Sequence, residues 1–140
     1  MRYGAITRKE GQRTLVEFPD CPGCQTFAEP GEEVKKVALE ALEGWLEANL
    51  VAGKAPPRPR ARKASLWIVV PAKLAVKLSI RWARLQAGLT QAQLAKLAGL
   101  SQPQIAKLEQ PDHNPTIDTL ERVASALHAT LNVELLDKAS

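Results

Sequence analysis

Cys21 and Cys24 are separated by Pro22 and Gly23, a C-x-x-C spacing that thiol redox enzymes and zinc sites both use. A redox pair places its first thiol at the start of a helix, which lowers the thiol pKa, but no helix is predicted to begin here. A structural zinc site needs two further ligands, and no second cysteine pair exists. We therefore expect no metal and no cofactor. Cys21 is expected to fill a small apolar slot, while Gly23 makes the turn.

Two short helices joined by a tight glycine turn are predicted at 91–98 and 102–109. Capping boxes begin both helices, with Thr90 and Ser101 as the caps. Gly99, between them, permits the left-handed conformation that such a turn requires. A helix pair of this kind, with polar residues at the start of the second helix, is the arrangement that reads base edges in the DNA major groove.

Several side chains of this segment are predicted to contact DNA. Gln102 suits adenine, because a carboxamide can pair bidentately with that base, and Lys107 suits phosphate or guanine. Gln91 lies at a helix start, where free amides suit a phosphate. Gln104 either contacts DNA or closes the capping box of its own helix, and the sequence leaves both open. The predicted DNA contacts are Thr90, Gln91, Ser101, Gln102, Gln104 and Lys107. The alternative is a generic helical bundle with solvated glutamines.

Further helices predicted at 73–87 and 117–127 complete an all-α unit over 72–140. After them, apolar residues alternate with polar ones, which predicts a short terminal strand. This strand is a candidate dimerisation surface, together with apolar residues of the 73–87 helix. Packing within its own subunit is an equal alternative. The alternating residues are Leu131, Val133 and Leu135.

Residues 54–64 form the clearest boundary in the chain, because they contain five cations, three prolines and no acid. Proline and mutual repulsion favour an extended linker over helix or strand. The segment is either a solvated linker or an additional phosphate contact.

The region before this linker is predicted to fold as strands at 2–7, 13–18 and 24–27 followed by a helix at 34–50. A buried strand at 66–70 is expected to return to the same sheet. The front unit is thus 1–53 plus the strand at 65–70, with β-β-β-α-β order, and the whole chain is α+β. The first strand lacks the carboxylates that a two-metal nuclease needs, so we expect no enzymatic activity. The acidic surface of the front unit is suited to a basic protein partner.

The 140 residues are 45% hydrophobic and 24% charged, a normal balance for a globular protein, with a net charge of +4. No apolar run approaches the ~20 residues that cross a bilayer, and the first residues lack the apolar core of a secretory signal. We expect a cytoplasmic protein without membrane contact, associated with the nucleoid when bound to DNA.

The tail resembles the phage-repressor (Cro- or Xre-type) helix-turn-helix, and the front half resembles HicB antitoxins. The matching runs of the tail are GLTQAQLA at 88–95, GLSQ at 99–102, IAKLE at 105–109 and NPT at 114–116. Those of the front half are FPDCPGCQT at 18–26 and VVP at 69–71. The loop at 110–113 is longer than is common in the repressor motif.

The resemblance implies a partial RNase H-like fold in front and a small HicA toxin as partner, an mRNA-cleaving ribonuclease. The antitoxin is expected to cover the toxin active site and to repress its own operon. A helix-turn-helix that reads two half-sites also predicts a homodimer or higher homo-oligomer on double-stranded operator DNA. The toxin-binding loop is predicted at Asp20, Cys21, Pro22 and Gly23. Two alternatives are a stand-alone repressor with a ligand- or redox-sensing front domain, and a thiol redox enzyme.

Overall fold

The computed structural model describes residues 1–138, which form a small antiparallel sheet, a helix packed on it, and four shorter helices. The strands are β1 (Arg2–Glu10), β2 (Arg13–Glu17), β3 (Gln25–Ala28) and β4 (Leu66–Val69). The helices are α1 (Val34–Val51), α2 (Ala72–Gln86), α3 (Gln91–Ala98), α4 (Gln102–Leu108) and α5 (Ile117–Ala126). The predicted α+β class, with a β-β-β-α-β region in front of a helical tail, is confirmed.

The four strands lie in the order β3-β2-β1-β4, and every neighbouring pair is antiparallel. β4 pairs with β1, so the strand after the linker returns to the first sheet as predicted. Because side chains alternate across a strand, Tyr3, Ala5 and Val16 point to one face. There they pack against the apolar stripe of α1, which includes Leu42 and Leu46.

Helix α2 contributes to two cores, although the sequence assigned it entirely to the tail. Leu74 and Leu78 belong to the core between the sheet and α1. Ile80 belongs to the core of the helical tail, together with Leu94 and Ile105. The helix therefore joins the two regions through buried side chains as well as through the chain itself.

The proline-rich linker is held against both regions, which differs from the expectation of a solvated segment. The Tyr3 hydroxyl donates to the Pro57 carbonyl at 2.6 Å, and the Trp82 indole N–H donates to the Pro56 carbonyl at 2.7 Å. Further along, the linker passes over Gly4, where a Cβ would lie only 2.8 Å from the Ala64 Cβ. Gly4 therefore permits this close approach.

The predicted terminal strand is wrong: residues 129–138 adopt neither helix nor strand. Alternation alone does not make a strand, because the ladder needs a neighbour, and in the described part of this single chain these residues have none. Leu131 packs against the helical core, whereas Val133 and Leu135 are 68% and 100% exposed. Within residues 1–138, no helix has the length and apolar character needed to span a membrane.

Candidate nucleic-acid interface

The start of α3 is built by a complete capping box. The Thr90 hydroxyl accepts a hydrogen bond from the Gln93 amide at 3.1 Å, and the Gln93 side chain accepts one from the Thr90 amide at 2.8 Å. At the other end, Gly99 takes the left-handed conformation with φ 68° and ends the helix. Thr90 is therefore used mainly to fix where the helix begins. The positive end of the helix is left facing outward, as an anion requires.

Helix α4 begins in the same way, and this resolves the role of Gln104. Its side-chain oxygen accepts a hydrogen bond from the Ser101 amide at 2.8 Å, while the Ser101 hydroxyl accepts from the Gln104 amide at 3.3 Å. Pro103 is tolerated because amides of the first turn have no helical partner. The Gln104 oxygen is thus occupied within the chain, and only its side-chain nitrogen is left to donate.

A hydrogen bond joins the exposed polar side chains at the starts of the two helices. The Gln102 side-chain nitrogen donates to the side-chain oxygen of Gln91 at 3.1 Å. This bond uses one of the two protons on that nitrogen and leaves the Gln102 oxygen free. The remaining donor and acceptor are the pair that an adenine edge requires. Gln91 therefore orients Gln102, a relation that the sequence did not indicate.

Lys107 is exposed on α4, and its charge acts on His113 in the loop that follows the helix. Burial is the largest cause that lowers the pKa of His113, and the positive charges of Lys77 and then Lys107 lower it further. Lys77 is itself fully buried, and its ammonium donates to the His113 carbonyl at 2.6 Å. This bond fixes the long loop at 110–113, whose course the sequence did not predict.

The two helices of the interface are held together by small and branched apolar residues. Ala95 and Ala98 of α3 are buried against Ile105 and Leu108 of α4, and Val123 of α5 closes the same core. Alanines at the crossing allow the helix backbones to approach closely. The apolar residues of this core recur at helical spacing in the sequence.

A buried ion network lies directly behind the interface, and sequence reasoning missed it. The Glu109 carboxylate is fully buried and accepts from Arg81 at 2.8 Å and from Arg84 at 2.7 and 3.0 Å. Arg81 also donates to the carbonyls of Leu50 and Lys54, at the end of α1 and in the linker. The signal in the sequence was a helix face that carries Lys77, Arg81 and Arg84 among apolar residues.

The loop predicted to contact a toxin has mostly structural roles in the described chain. The Asp20 carboxylate accepts from the backbone amides of Arg60 and Ala61 at 2.7 and 2.8 Å, which fastens the linker. Cys21 is 1% exposed. Only Pro22 and Gly23 are exposed at the tip of the loop.

The C-x-x-C thiols are poorly suited to redox chemistry. Burial, with smaller contributions from Cys24 and Asp20, raises the pKa of Cys21 to about 12, and burial raises the pKa of Cys24 to about 11. The reactive form of a thiol is the thiolate, so both groups are inert near neutral pH. Cys21 fills an apolar slot and Gly23 makes the turn with φ 84°, as predicted.

Another charged surface lies on α1, on the side facing away from the sheet. Glu40 and Glu47 are exposed there and Glu43 is half-buried, whereas the opposite side of the helix is buried. These acids contribute to the acidic surface expected of the front unit.

Two known proteins match most of the chain, and a family profile matches its tail. A helix-turn-helix family profile matches residues 80–133. Antitoxin HicB 2 of Photorhabdus laumondii is 28% identical over 127 residues, which covers 91% of each protein. Antitoxin HicB 1 of the same organism is 31% identical over 122 residues, or 86% of this chain and 78% of that protein. A solved toxin-antitoxin module from Streptococcus pneumoniae aligns with 34% identity and a TM-score of 0.41, covering 46% of this chain and 71% of that one.

Proposed function

Because this chain belongs to the HicB antitoxin family, we propose that it neutralises a HicA-like, mRNA-cleaving toxin and represses its own operon. It acts by covering the toxin surface rather than by catalysis. The toxin is held by the front module, residues 1–53 with the strand at 65–70, and the operator is read by the helix-turn-helix. The complex is placed in the cytoplasm, and at the nucleoid when DNA is bound.

The observation that carries DNA recognition is the hydrogen bond between Gln91 and Gln102 across two capped helices. It fixes a carboxamide at the start of α4 with one donor and one acceptor still free. A helix with polar residues at its N-terminus, set by a tight turn behind a first helix, docks in the major groove. Lys107 then reaches phosphate or guanine, and Thr90 and Ser101 position the two helix ends.

Toxin binding is supported by the charge of the front module. The side of α1 that faces away from the sheet carries the exposed Glu40 and Glu47 and the half-buried Glu43, and an RNA-binding toxin is expected to be basic. Opposite potentials steer such a pair together and suppress wrong partners. The exposed loop tip at Pro22 and Gly23 adds a second contact, while Asp20 and Cys21 support it from inside.

A homodimer follows from the need to read two half-sites. The partner surface is the segment with Val133 and Leu135, whose side chains are exposed in a stretch that is neither helix nor strand. Beside it, Ile80, Leu120 and Leu127 line an apolar groove between α2 and α5. A second copy supplies both a strand neighbour and apolar cover. The double change Val133→Asp and Leu135→Asp is expected to yield a monomer in analytical ultracentrifugation.

The test of DNA recognition compares Gln102→Ala with the matched control Gln12→Ala, which changes an exposed glutamine in the β1–β2 turn. Gln102→Ala is expected to cost about 1–3 kcal/mol of specific binding to DNA from upstream of the native gene. The control binds as the unchanged protein does. Equal affinity of both variants at matched salt, or no protected bases in footprinting with the unchanged protein, would contradict the proposal.

The test of neutralisation is a pull-down with the full chain, followed by mass identification of the bound protein. We expect a small basic protein, encoded beside this gene, that arrests growth when expressed alone. Charge reversal at Glu40 and Glu47 to lysine should weaken its capture, and the same reversal at Glu121 on α5 should not. A neighbouring gene without toxicity would favour a stand-alone repressor.

A further inference from the structure

The basic linker is the strongest charge feature of the chain that the proposed function leaves unused. Its backbone is fixed by bonds to Tyr3, Trp82 and Arg81 in its first part and to Asp20 in its second part. Its cationic side chains remain exposed. They are Lys54, Arg58, Arg60, Arg62 and Lys63.

These cations are neighbours along the chain, and their side chains form no salt bridge among residues 1–138. The salt bridges of this part of the chain join other residues, and the Asp20 carboxylate, which contacts the linker, is bound to its backbone amides. A fixed run of like charges destabilises the folded chain through mutual repulsion. An external polyanion removes that repulsion. Because the backbone is already ordered, binding such a partner costs less conformational entropy than it would for a mobile segment.

The first part of the linker lies on α2, the helix that leads into the helix-turn-helix, whereas its second part lies on the front module. The Arg58 guanidinium stacks over the Trp82 ring at 5.3 Å and donates to the Gln86 side chain at 3.1 Å. Gln86 is the last residue of α2, and Thr90 caps α3 only four residues later. Four residues span at most about 14 Å, so Gln86, which Arg58 contacts, lies within about that distance of the start of α3.

Duplex DNA presents one phosphate per about 3.4 Å of axis on each strand, so this distance corresponds to about four phosphates. Arginine is well suited to them, since its planar guanidinium binds phosphate bidentately. A basic, RNA-binding toxin is disfavoured at this surface by like-charge repulsion. DNA is therefore the partner that both the charge and the position of the linker fit.

We propose that Arg58, Arg60 and Arg62 form a second DNA contact, which binds backbone phosphates beside the bases read by α4. The contact is independent of sequence and extends the footprint of each subunit beyond the helix-turn-helix. It rests on the proposed operator binding, and it adds affinity and salt dependence without adding base preference.

The experiment compares the triple variant R58Q/R60Q/R62Q with a matched control, K9Q/K35Q/K36Q. The control removes the same charge from exposed positions of the front module. Binding of the full chain to the upstream duplex and to an unrelated duplex of equal length is measured between 50 and 200 mM salt. Each lost phosphate contact lowers the slope of log K against log salt by about 0.9. The unchanged protein loses affinity between 50 and 200 mM salt. If three contacts are removed, the triple variant should lose about 40-fold less affinity over the same range, on both duplexes.

The control variant is expected to keep the slope of the unchanged protein. A second variant, R60Q/R62Q, retains the Arg58 contacts with α2 and should show about two thirds of the change in slope seen in the triple variant. It tests the proposal even if the triple variant fails to fold. The proposal is overturned if the triple variant keeps the original slope while binding DNA, or if the control loses as much. If the unchanged protein binds neither duplex, operator binding itself fails, and this contact fails with it.

Discussion

Glu109 is the residue whose loss should damage the folded chain most. Its carboxylate is fully buried and holds two guanidinium groups, Arg81 at 3% exposure and Arg84 at 11%. Glu109→Gln keeps the shape but removes the charge, and it turns an amide nitrogen toward groups that only donate. Two buried cations are then left without compensation. Breaking a buried ion pair in this way costs about 3–5 kcal/mol.

Urea unfolding measures this change directly. With a dependence of about 2 kcal/mol per molar urea for a protein of this size, the midpoint should fall by about 2 M while the slope is preserved. The matched control is Glu121→Gln, an exposed acid on α5, which should stay within about 0.5 kcal/mol. Arg84→Leu leaves the Arg81–Glu109 pair intact and should cost less than Glu109→Gln. A loss below about 1 kcal/mol for Glu109→Gln, at unchanged slope, would refute the view that this network is sealed from water.

Three further predictions concern the front module and the linker. In the folded chain the thiol pKa values are about 12 for Cys21 and about 11 for Cys24, whereas the unfolded thiols lose their protons near pH 9. The free energy of unfolding should therefore fall as pH rises above 9, by up to about 1.4 kcal/mol per pH unit for each thiol. Urea unfolding of a Cys21→Ala, Cys24→Ala double variant at several pH values should show a shallower fall. Asp20→Ala removes the acceptor of two linker amides, so trypsin should cleave within 58–63 about tenfold faster, and an unchanged cleavage rate would contradict the docked linker. Gly4→Ala should destabilise the chain by about 1–3 kcal/mol in thermal unfolding because its Cβ meets the linker, whereas Gly44→Ala, in open space on α1, should stabilise it slightly.

The parts of the fold that could be predicted from the sequence are those that local chemistry decides. A capping box involves residues three apart, so Thr90 and Ser101 fixed the first residues of α3 and α4 correctly. Gly99 likewise marked the end of α3 by its own conformation. Alternation in 13–18 and the apolar run at 66–70 identified strands that do find neighbours in the sheet.

The parts that could not be predicted depend on contacts between distant residues. Arg81 and Glu109 are 28 positions apart, and Asp20 meets the linker across 40 positions. Nothing in the local pattern distinguishes a buried arginine from a solvated one, or a docked linker from a free one. The strand predicted from the alternation that starts at Leu131 is wrong for the same reason, because a local pattern does not show whether a neighbouring strand is present.

The shared helix α2 changes how the two modules relate to each other. Leu74 and Leu78 are buried with the sheet, Ile80 is buried with the DNA-reading helices, and Arg81 bonds the carbonyl of Leu50 on one side and Glu109 on the other. Rotation of one module against the other would expose apolar side chains and break bonds of a buried guanidinium, so the linker does not act as a flexible tether. A copy bound to DNA therefore presents its front module, and any protein held there, at a fixed position relative to the duplex. The linker arginines keep their distance from α3 for the same reason, and a contact with phosphate requires this.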